Sequence, residues 1–198
     1  LGVFTDTHYA YVIGYGDGHV KPENNLTRAE TATVFFRLLN DTDRMLNWTQ
    51  ETAYSDVAID EWVNNAISVM SGMKILSGYP NGSFQPTGST TRGELATIAA
   101  KFARMNGNAD MRDVAFNDIA GHWAETDILY AASVGFVDGD ENDNFNPDAM
   151  ITRAEFMAIV NRMLGRAPET VDDLLTDEMI KWPDNTDTGA WYYLDVQE

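Results

Sequence analysis

Thr27-Arg28-Ala29-Glu30 recurs as Thr91-Arg92-Gly93-Glu94 and as Thr152-Arg153-Ala154-Glu155. Each copy follows a turn-rich segment and precedes an apolar run. Each reads as a capping box: Thr caps the first helical turn and Glu, three residues on, reaches back to the cap. The arginine is out of place, because a cation in the first turn opposes the helix dipole. Three arginines at the same position point to something outside the helix that holds them.

Working outward, Gly14-Tyr15, Gly78-Tyr79 and Gly139-Asp140 each begin 14 residues before the motif arginine, and a proline (Pro22, Pro86, Pro147) closes each intervening turn. Glycine and arginine both recur at intervals of 64 and then 61 residues, which marks a repeat array. Past each box the apolar residues keep helical spacing: Phe35, Phe36, Leu38 and Leu39; Leu95, Ile98, Ala99 and Phe102; Phe156, Ile159, Val160, Met163 and Leu164. Asn106-Gly107-Asn108 and Gly165 with Pro168 stop the later two helices, and Asn40 to Ala53 reads as a polar connector with a helical extension through Met45.

The second block opens on Tyr54-Ser55-Asp56-Val57, the third on Phe116-Asn117-Asp118-Ile119. A helix follows each, with Trp62, Ala66, Ile67, Met70 and Met73 on one side of the first, and Trp123, Ile128, Tyr130 and Ala131 in the second. The first block lacks such a helix; Tyr9 to Ile13 reads instead as a brief strand. After an acidic connector, Trp182-Pro183-Asp184 and Trp191-Tyr192-Tyr193 look like the opening of a fourth block. The expectation is that this tail supplies what the first block lacks and closes three repeats into one ring, which also hides the apolar face of an end repeat. The expected units are 1–45, 54–106, 114–166 and the partial 182–198.

Hydrophobic residues make up 44% of the 198 residues, enough for a core, and the formal charge of -18 argues against nucleic-acid and anionic-membrane partners. A local anion site survives this field, since charges beyond roughly 8 Å are screened at physiological salt. The absence of cysteine excludes disulfides and thiolate zinc sites. No run approaches the ~18 apolar residues of a membrane span. Leu1 to Asp6 carries no basic and apolar leader pattern, from which export is not judged.

Taken together, these blocks resemble the S-layer homology domain family, and the resemblance covers nearly the whole chain. It implies a mainly α fold: three tandem repeats in a pseudo-threefold, three-pronged helical unit with short strands and turn-rich loops, and grooves between neighbouring repeats. It further implies a non-catalytic, extracellular module of the bacterial cell wall or S-layer. As part of a larger surface protein, such a module holds a secondary cell wall polymer, commonly pyruvylated, or peptidoglycan. Carried over by position, the glycan-binding residues are Arg28, Arg92 and Arg153, Gly14, Gly78 and Gly139, Asp56, Asp118 and Asp184, and Trp62, Trp123 and Trp191. Asp140 departs from Tyr15 and Tyr79, and Gly93 replaces the usual alanine at a helix cost of up to ~1 kcal/mol; both predict unequal grooves.

Each residue type keeps a second reading. A free helix N-terminus with an arginine fork suits a carboxylate such as a pyruvyl ketal, whereas an arginine bonded to a block-opening aspartate would lock one repeat to the next. The tryptophans read more readily as core than as sugar platforms. The glycines serve a turn or the approach of a ligand. The aspartates cap the tryptophan helices, pair with arginine, or accept from sugar hydroxyls. The run Asp138 to Asp143 lacks the glycine and terminal glutamate of a calcium loop and reads as a solvated turn, so no metal or cofactor is expected. His8, His19 and His122 have no metal-ligand spacing, no nucleophile motif is present, and an enzyme is not expected. Besides anchoring, the array could serve as a protein-interaction or structural unit within a surface-layer assembly.

Overall fold

The computed structural model describes residues 4, 11–107, 111–166, 168–174 and 180–198. The expected strand at Tyr9 to Ile13 and the stop at Asn108 lie partly outside them; residues 11–13 form no regular element. The described residues hold seven α-helices: α1 (Arg28–Leu38), α2 (Asp41–Leu46), α3 (Asn64–Gly72), α4 (Arg92–Asn106), α5 (Glu125–Ser133), α6 (Arg153–Leu164) and α7 (Tyr193–Gln197). The fold is mainly α. The only strand-like pairings among them are isolated bridges, and no helix is long and apolar enough to cross a membrane.

Helices α1, α4 and α6 start as the sequence dictates. Thr27, Thr91 and Thr152 sit in extended backbone and accept the N–H of Glu30, Glu94 and Glu155, whose carboxylates return to the cap N–H. Gly165, in the left-handed conformation, ends α6. The connector after α1 is a separate short helix: Leu39 leaves helical geometry and Asn40 caps α2.

These three helices meet around a shared core. At the third, seventh and tenth positions after the motif arginine stand Thr31/Leu95/Phe156, Phe35/Ala99/Val160 and Leu38/Phe102/Met163, all buried. Each position carries one phenylalanine among the three repeats, from a different repeat each time. Phe35 lies 5.2 Å from Phe102 and 5.7 Å from Phe156, centroid to centroid. A close-packed interior accepts one bulky ring where threefold repetition would demand three.

Each capped helix packs with the helix that opens the next block: α1 with α3, α4 with α5, and α6 with α7. These pairs are the three prongs. The repeats also join through a ring of backbone hydrogen bonds two residues before each arginine. Leu26 N–H donates to Ile151 O (3.1 Å), Ile151 N–H to Thr90 O (2.9 Å), and Thr90 N–H to Leu26 O (2.9 Å).

The block-opening aspartates are backbone clamps. The two carboxylate oxygens of Asp56 accept from Phe84 N–H (2.7 Å) and Gln85 N–H (2.8 Å). Asp118 does the same for Phe145 and Asn146 at 2.8 and 2.7 Å. Asp184, from the tail, does it for Val20 and Lys21 at 3.0 and 2.7 Å. The clamped Lys21, Gln85 and Asn146 have φ of 52°, 58° and 56°, a left-handed conformation that non-glycine residues avoid. Burial would raise the Asp56 pKa, but the Phe84 and Gln85 N–H groups hold it below the usual carboxylate value. On these contacts we infer that 182–198 belongs structurally to the first repeat.

The tail is also held at Asn161, whose amide donates to Asp195 Oδ1 (3.1 Å) and whose oxygen accepts from Tyr11 Oη. Burial pushes the Asp195 carboxyl above its ordinary value; the Asn161 hydrogen bond and Arg162 oppose this.

Two predictions follow from the clamps and the tail. Asp184→Ala removes two hydrogen bonds to a charged acceptor and should cost about 2–3 kcal/mol in urea unfolding; a loss under ~0.5 kcal/mol, within the range of ordinary surface substitutions, would refute the clamp. Because the Asp195 pKa is raised on folding, its contribution favours the native state below the unfolded value and is lost as pH rises through the folded value. Asp195→Asn, which mimics the neutral acid, should therefore be more stable than the parent at pH 7, with the gap closing towards pH 4. A pH-independent difference would contradict this.

Candidate glycan-binding grooves

The motif arginines do not face outward. Arg28 donates from Nε to Phe84 O (2.7 Å), from Nη2 to Ser77 O (2.8 Å) and from Nη1 to the Glu94 carboxylate. Arg92 repeats this on Phe145 O (2.8 Å), Asp138 O (2.9 Å) and Glu155 (3.2 Å). Arg153 closes the cycle on Val20 O (2.7 Å), Ile13 O (3.2 Å) and Glu30 (2.9 Å). Each arginine thus grips the next repeat, and the third grips the first. The ion-pair partner is the capping-box glutamate of the neighbour, not a block-opening aspartate. Rings reinforce the grip: Arg28 lies 4.7 Å from the Tyr79 centroid and 4.5 Å from Phe84, and Arg153 lies 4.8 Å from Tyr15.

The helix N-termini are occupied too. Arg28 N–H donates to Gly88 O and Ala29 N–H to Pro86 O; Arg92 and Gly93 use Ala149 O and Pro147 O; Arg153 and Ala154 use Asn24 O and Pro22 O. With Thr taking the next N–H, the first-turn donors are spent within the protein. The expected anion socket at the bare helix N-terminus is therefore absent in all three repeats.

The glycines have a steric cause. A Cβ on Gly78 would lie 2.3 Å from the Tyr54 ring and 2.5 Å from Ser83 O; on Gly139, 2.6 Å from Phe116; on Gly14, 2.3 Å from Trp182. The block-opening aromatic packs against the glycine of its own repeat, and Trp182 of the tail does so for the first. Gly93 likewise leaves room for His122, whose ring would meet a Cβ at 3.2 Å.

The tryptophans depart most from expectation. Trp62, Trp123 and Trp191 lie in the turns before α3, α5 and α7, outside the helices, and are 73%, 65% and 64% exposed. They are not core. Residues after them, such as Ile67, Met70 and Ile128, take the buried positions. Each tryptophan instead overlooks a groove between repeats. One groove, of about 670 Å³, has Arg28 from the first repeat, Gly78, Tyr79 and Glu94 from the second and Trp123 from the third. A second, of about 440 Å³, has Arg92, Gly139, Asp140, Glu155 and Trp191. The third, of about 270 Å³, has Arg153, Gly14, Tyr15, Glu30 and Trp62. Asp56, Asp118 and Asp184 line none of these three.

One set of groove residues escaped the sequence reading. Arg37, Lys101 and Arg162 stand nine positions after the motif arginines and line the three grooves. They lie two turns beyond the capping-box glutamate on the same helix face. Their recurrence was available in the repeat alignment, seven residues past each Glu. Among the described residues no cluster of three His, Asp or Glu is placed to hold a metal ion.

Comparison with known proteins agrees with this architecture. The family model for the S-layer homology domain matches residues 9–32, 53–96 and 115–157, more than half of the chain. The chain belongs to the S-layer homology domain family. It is 34% identical over 197 residues, 98% of its length, to a cellulosome-anchoring protein of Acetivibrio thermocellus, and covers 42% of that protein. It is 36% identical over 84% of its length to cell surface glycoprotein 1 of the same organism, covering 8% of it. A surface-layer 125 kDa protein of Lysinibacillus sphaericus is 28% identical over 79% of the chain, which covers 13% of it. The chain thus spans less than half the length of each of these relatives.

Removing one member of a buried pair leaves an uncompensated charge. Arg28→Ala and Arg153→Ala should each destabilise the fold by about 3–5 kcal/mol. Arg92→Ala should cost less, because the Arg92–Glu155 pair is more exposed (side chains 16% and 30%) than Arg28–Glu94 (6% and 14%). Chemical denaturation of the three variants checks the ranking; equal, sub-kcal/mol losses would remove the ring from the account of stability.

Proposed function

We propose that this chain is a non-covalent anchoring module, holding a larger surface protein to a bacterial cell wall by binding wall glycan in the grooves between repeats. The observation that carries the reading is the exposure of Trp62, Trp123 and Trp191 at the three grooves. Leaving an indole in water forgoes the ~1.5–3 kcal/mol that burying a large apolar side chain yields. An indole face set over a groove that also presents arginine, glutamate and tyrosine or aspartate side chains is suited to stack on the apolar face of a sugar ring. Of the remaining tryptophans, the exposed Trp48 leans on Phe36 and Trp182 packs at Gly14. The names of the relatives, a cellulosome-anchoring protein and surface-layer proteins, support an anchoring role on the outside of the cell. A pyruvylated secondary cell wall polymer is the ligand we favour, since its ketal carboxylate would meet groove cations.

The motif arginines are poor probes of binding because they hold the fold. The decisive variant carries Trp62→Ala, Trp123→Ala and Trp191→Ala together, which alters exposed side chains only. In co-sedimentation with purified wall polymer, affinity should fall at least about tenfold while the thermal midpoint stays near the parent's, as for truncating an aromatic hot spot. Unchanged sedimentation would reject glycan stacking in the grooves. Equal binding of native and acid-depyruvylated polymer would reject the ketal as the recognised group while leaving the glycan reading in place.

A further inference from the structure

Each groove tryptophan follows a different residue: Glu61 before Trp62, His122 before Trp123 and Ala190 before Trp191. His122 stands in a surface turn, yet its side chain is only 14% exposed. Its ring lies 5.4 Å from the Trp123 indole, centroid to centroid. Nδ1 accepts from Ala124 N–H at 3.1 Å, and Nε2 stands 3.3 Å from Asp148 Oδ1. The Ala124 N–H can only donate and an ionised carboxylate can only accept, so the imidazole carries its proton on Nε2. The Ala124 bond runs from the residue before Trp123 to the residue after it and closes a small ring across the Trp123 backbone. The main chain of His122 is fixed as well: its N–H donates to Ile119 O (2.9 Å) and its C=O accepts from Glu125 N–H (3.0 Å). His122 is not among the residues lining the groove, whereas Trp123 is.

The seat of the ring belongs to the preceding repeat. Gly93 occupies the motif position held by Ala29 and Ala154 in the other two boxes. A Cβ there would meet His122 Cε1 at 3.2 Å and Pro147 O at 3.1 Å. The carbonyl alone does not demand glycine. Ala29 and Ala154 donate to Pro86 O and Pro22 O at 2.9 and 2.8 Å, as Gly93 does to Pro147 O at 2.8 Å. What differs is the imidazole, because the places matching His122 hold the exposed Glu61 and the small Ala190. The second repeat thus accepts a helix cost of up to ~1 kcal/mol at Gly93, and a ring from the third repeat fills the space.

We propose that His122 is a positioning residue: seated on Gly93 and bonded across Trp123, it holds the indole in the orientation that stacks on a sugar ring. This rests on reading the grooves as glycan sites. The element recognised is the apolar face of the sugar, and the imidazole acts through the indole without touching the ligand. Ordering the indole before the sugar arrives spares the binding step the cost of immobilising an exposed side chain.

The test uses the whole chain and, as probe, purified wall polymer hydrolysed to its repeating unit. In the free chain, nitrogen-15 spectra should show the His122 ring protonated at Nε2, and the heteronuclear NOE of the Trp123 indole N–H should be as high as that of the helix backbone. His122→Ala should lower that NOE. It should also weaken the titration followed at the Trp123 indole roughly fivefold, the worth of one pre-ordered side chain, and leave the Trp62 and Trp191 responses unchanged. His122→Asn places Oδ1 where Nδ1 was, keeps an acceptor for Ala124 N–H, and should recover part of both the order and the affinity. Gly93→Ala should not raise the thermal midpoint of the parent. In the His122→Ala chain it should raise it by about 2–4 °C, since a helix-favouring residue then meets no ring. A Trp123 NOE and affinity indifferent to His122→Ala would overturn the proposal, as would a ring protonated at Nδ1 or a His122→Asn chain no better than His122→Ala. An equal rise from Gly93→Ala in both chains would overturn the seat. A Trp123 NOE that falls in His122→Ala, with no indole of the parent responding to the probe, would uphold the ordering of the indole and overturn the glycan reading.

Discussion

The fold depends on one contact made three times: an arginine at the first position of one capped helix reaching into the next repeat. A cation there is unfavourable while it stays over its own helix, because the dipole favours anions at that end. Reaching across resolves the conflict. The guanidinium leaves the positive end of its own helix and meets a glutamate in the first turn of the neighbouring one, with two backbone carbonyls taking its other donors. That glutamate is already placed by its capping box. One four-residue motif therefore starts a helix, provides the cation for one interface and provides the anion for the other. Since the third repeat returns to the first, the cycle has no unpaired end, and neither arginine nor glutamate is left uncompensated in a dry interface.

Much of this was legible in the sequence. The capping boxes, the three capped helices and the family were read from residues alone. What could not be read was which of several acidic residues each arginine meets. With 31 carboxylates in the chain, composition does not select among them, and only the angle between neighbouring repeats brings Glu94 rather than Asp56 to Arg28. The tryptophans misled for a different reason. Helical spacing links Trp62 to Ala66 and Met70 only if the helix already includes Trp62; it begins at Asn64, so the indole projects from the preceding turn. Free helix N-termini were expected because a sequence shows caps but not the carbonyls of Pro86, Pro147 and Pro22 brought in from the next repeat.

The symmetry is kept and broken in different places. The hydrogen-bond ring, the arginine grip, the aspartate clamp and the glycine seat repeat with nearly the same distances, because each satisfies polar groups that have few other solutions. The core keeps volume rather than identity, sharing one phenylalanine per level among the three repeats. The grooves keep neither. Tyr15 and Tyr79, each bonded to its capping-box glutamate, give way to Asp140 in the third repeat, and the three cations Arg37, Lys101 and Arg162 meet different partners. Divergence is cheapest there, since a groove residue faces solvent and its exchange disturbs neither ring nor core.

Closure also sets how the unit must come apart. The first repeat takes its glycine seat from Trp182 and its backbone clamp from Asp184, more than 160 residues along the chain, while α7 packs on α6 of the third repeat. An open array can lose an end repeat and keep the rest, because each repeat contacts only its neighbours. Here loss of the tail exposes the left-handed turn at Lys21, and that turn supplies Val20 O to Arg153 and Pro22 O to the α6 N-terminus. Arg153 in turn neutralises Glu30. Damage at any one junction therefore reaches the next through groups that are costly to leave unpaired. The three grooves, each built from parts of all three repeats, should accordingly be present together or not at all.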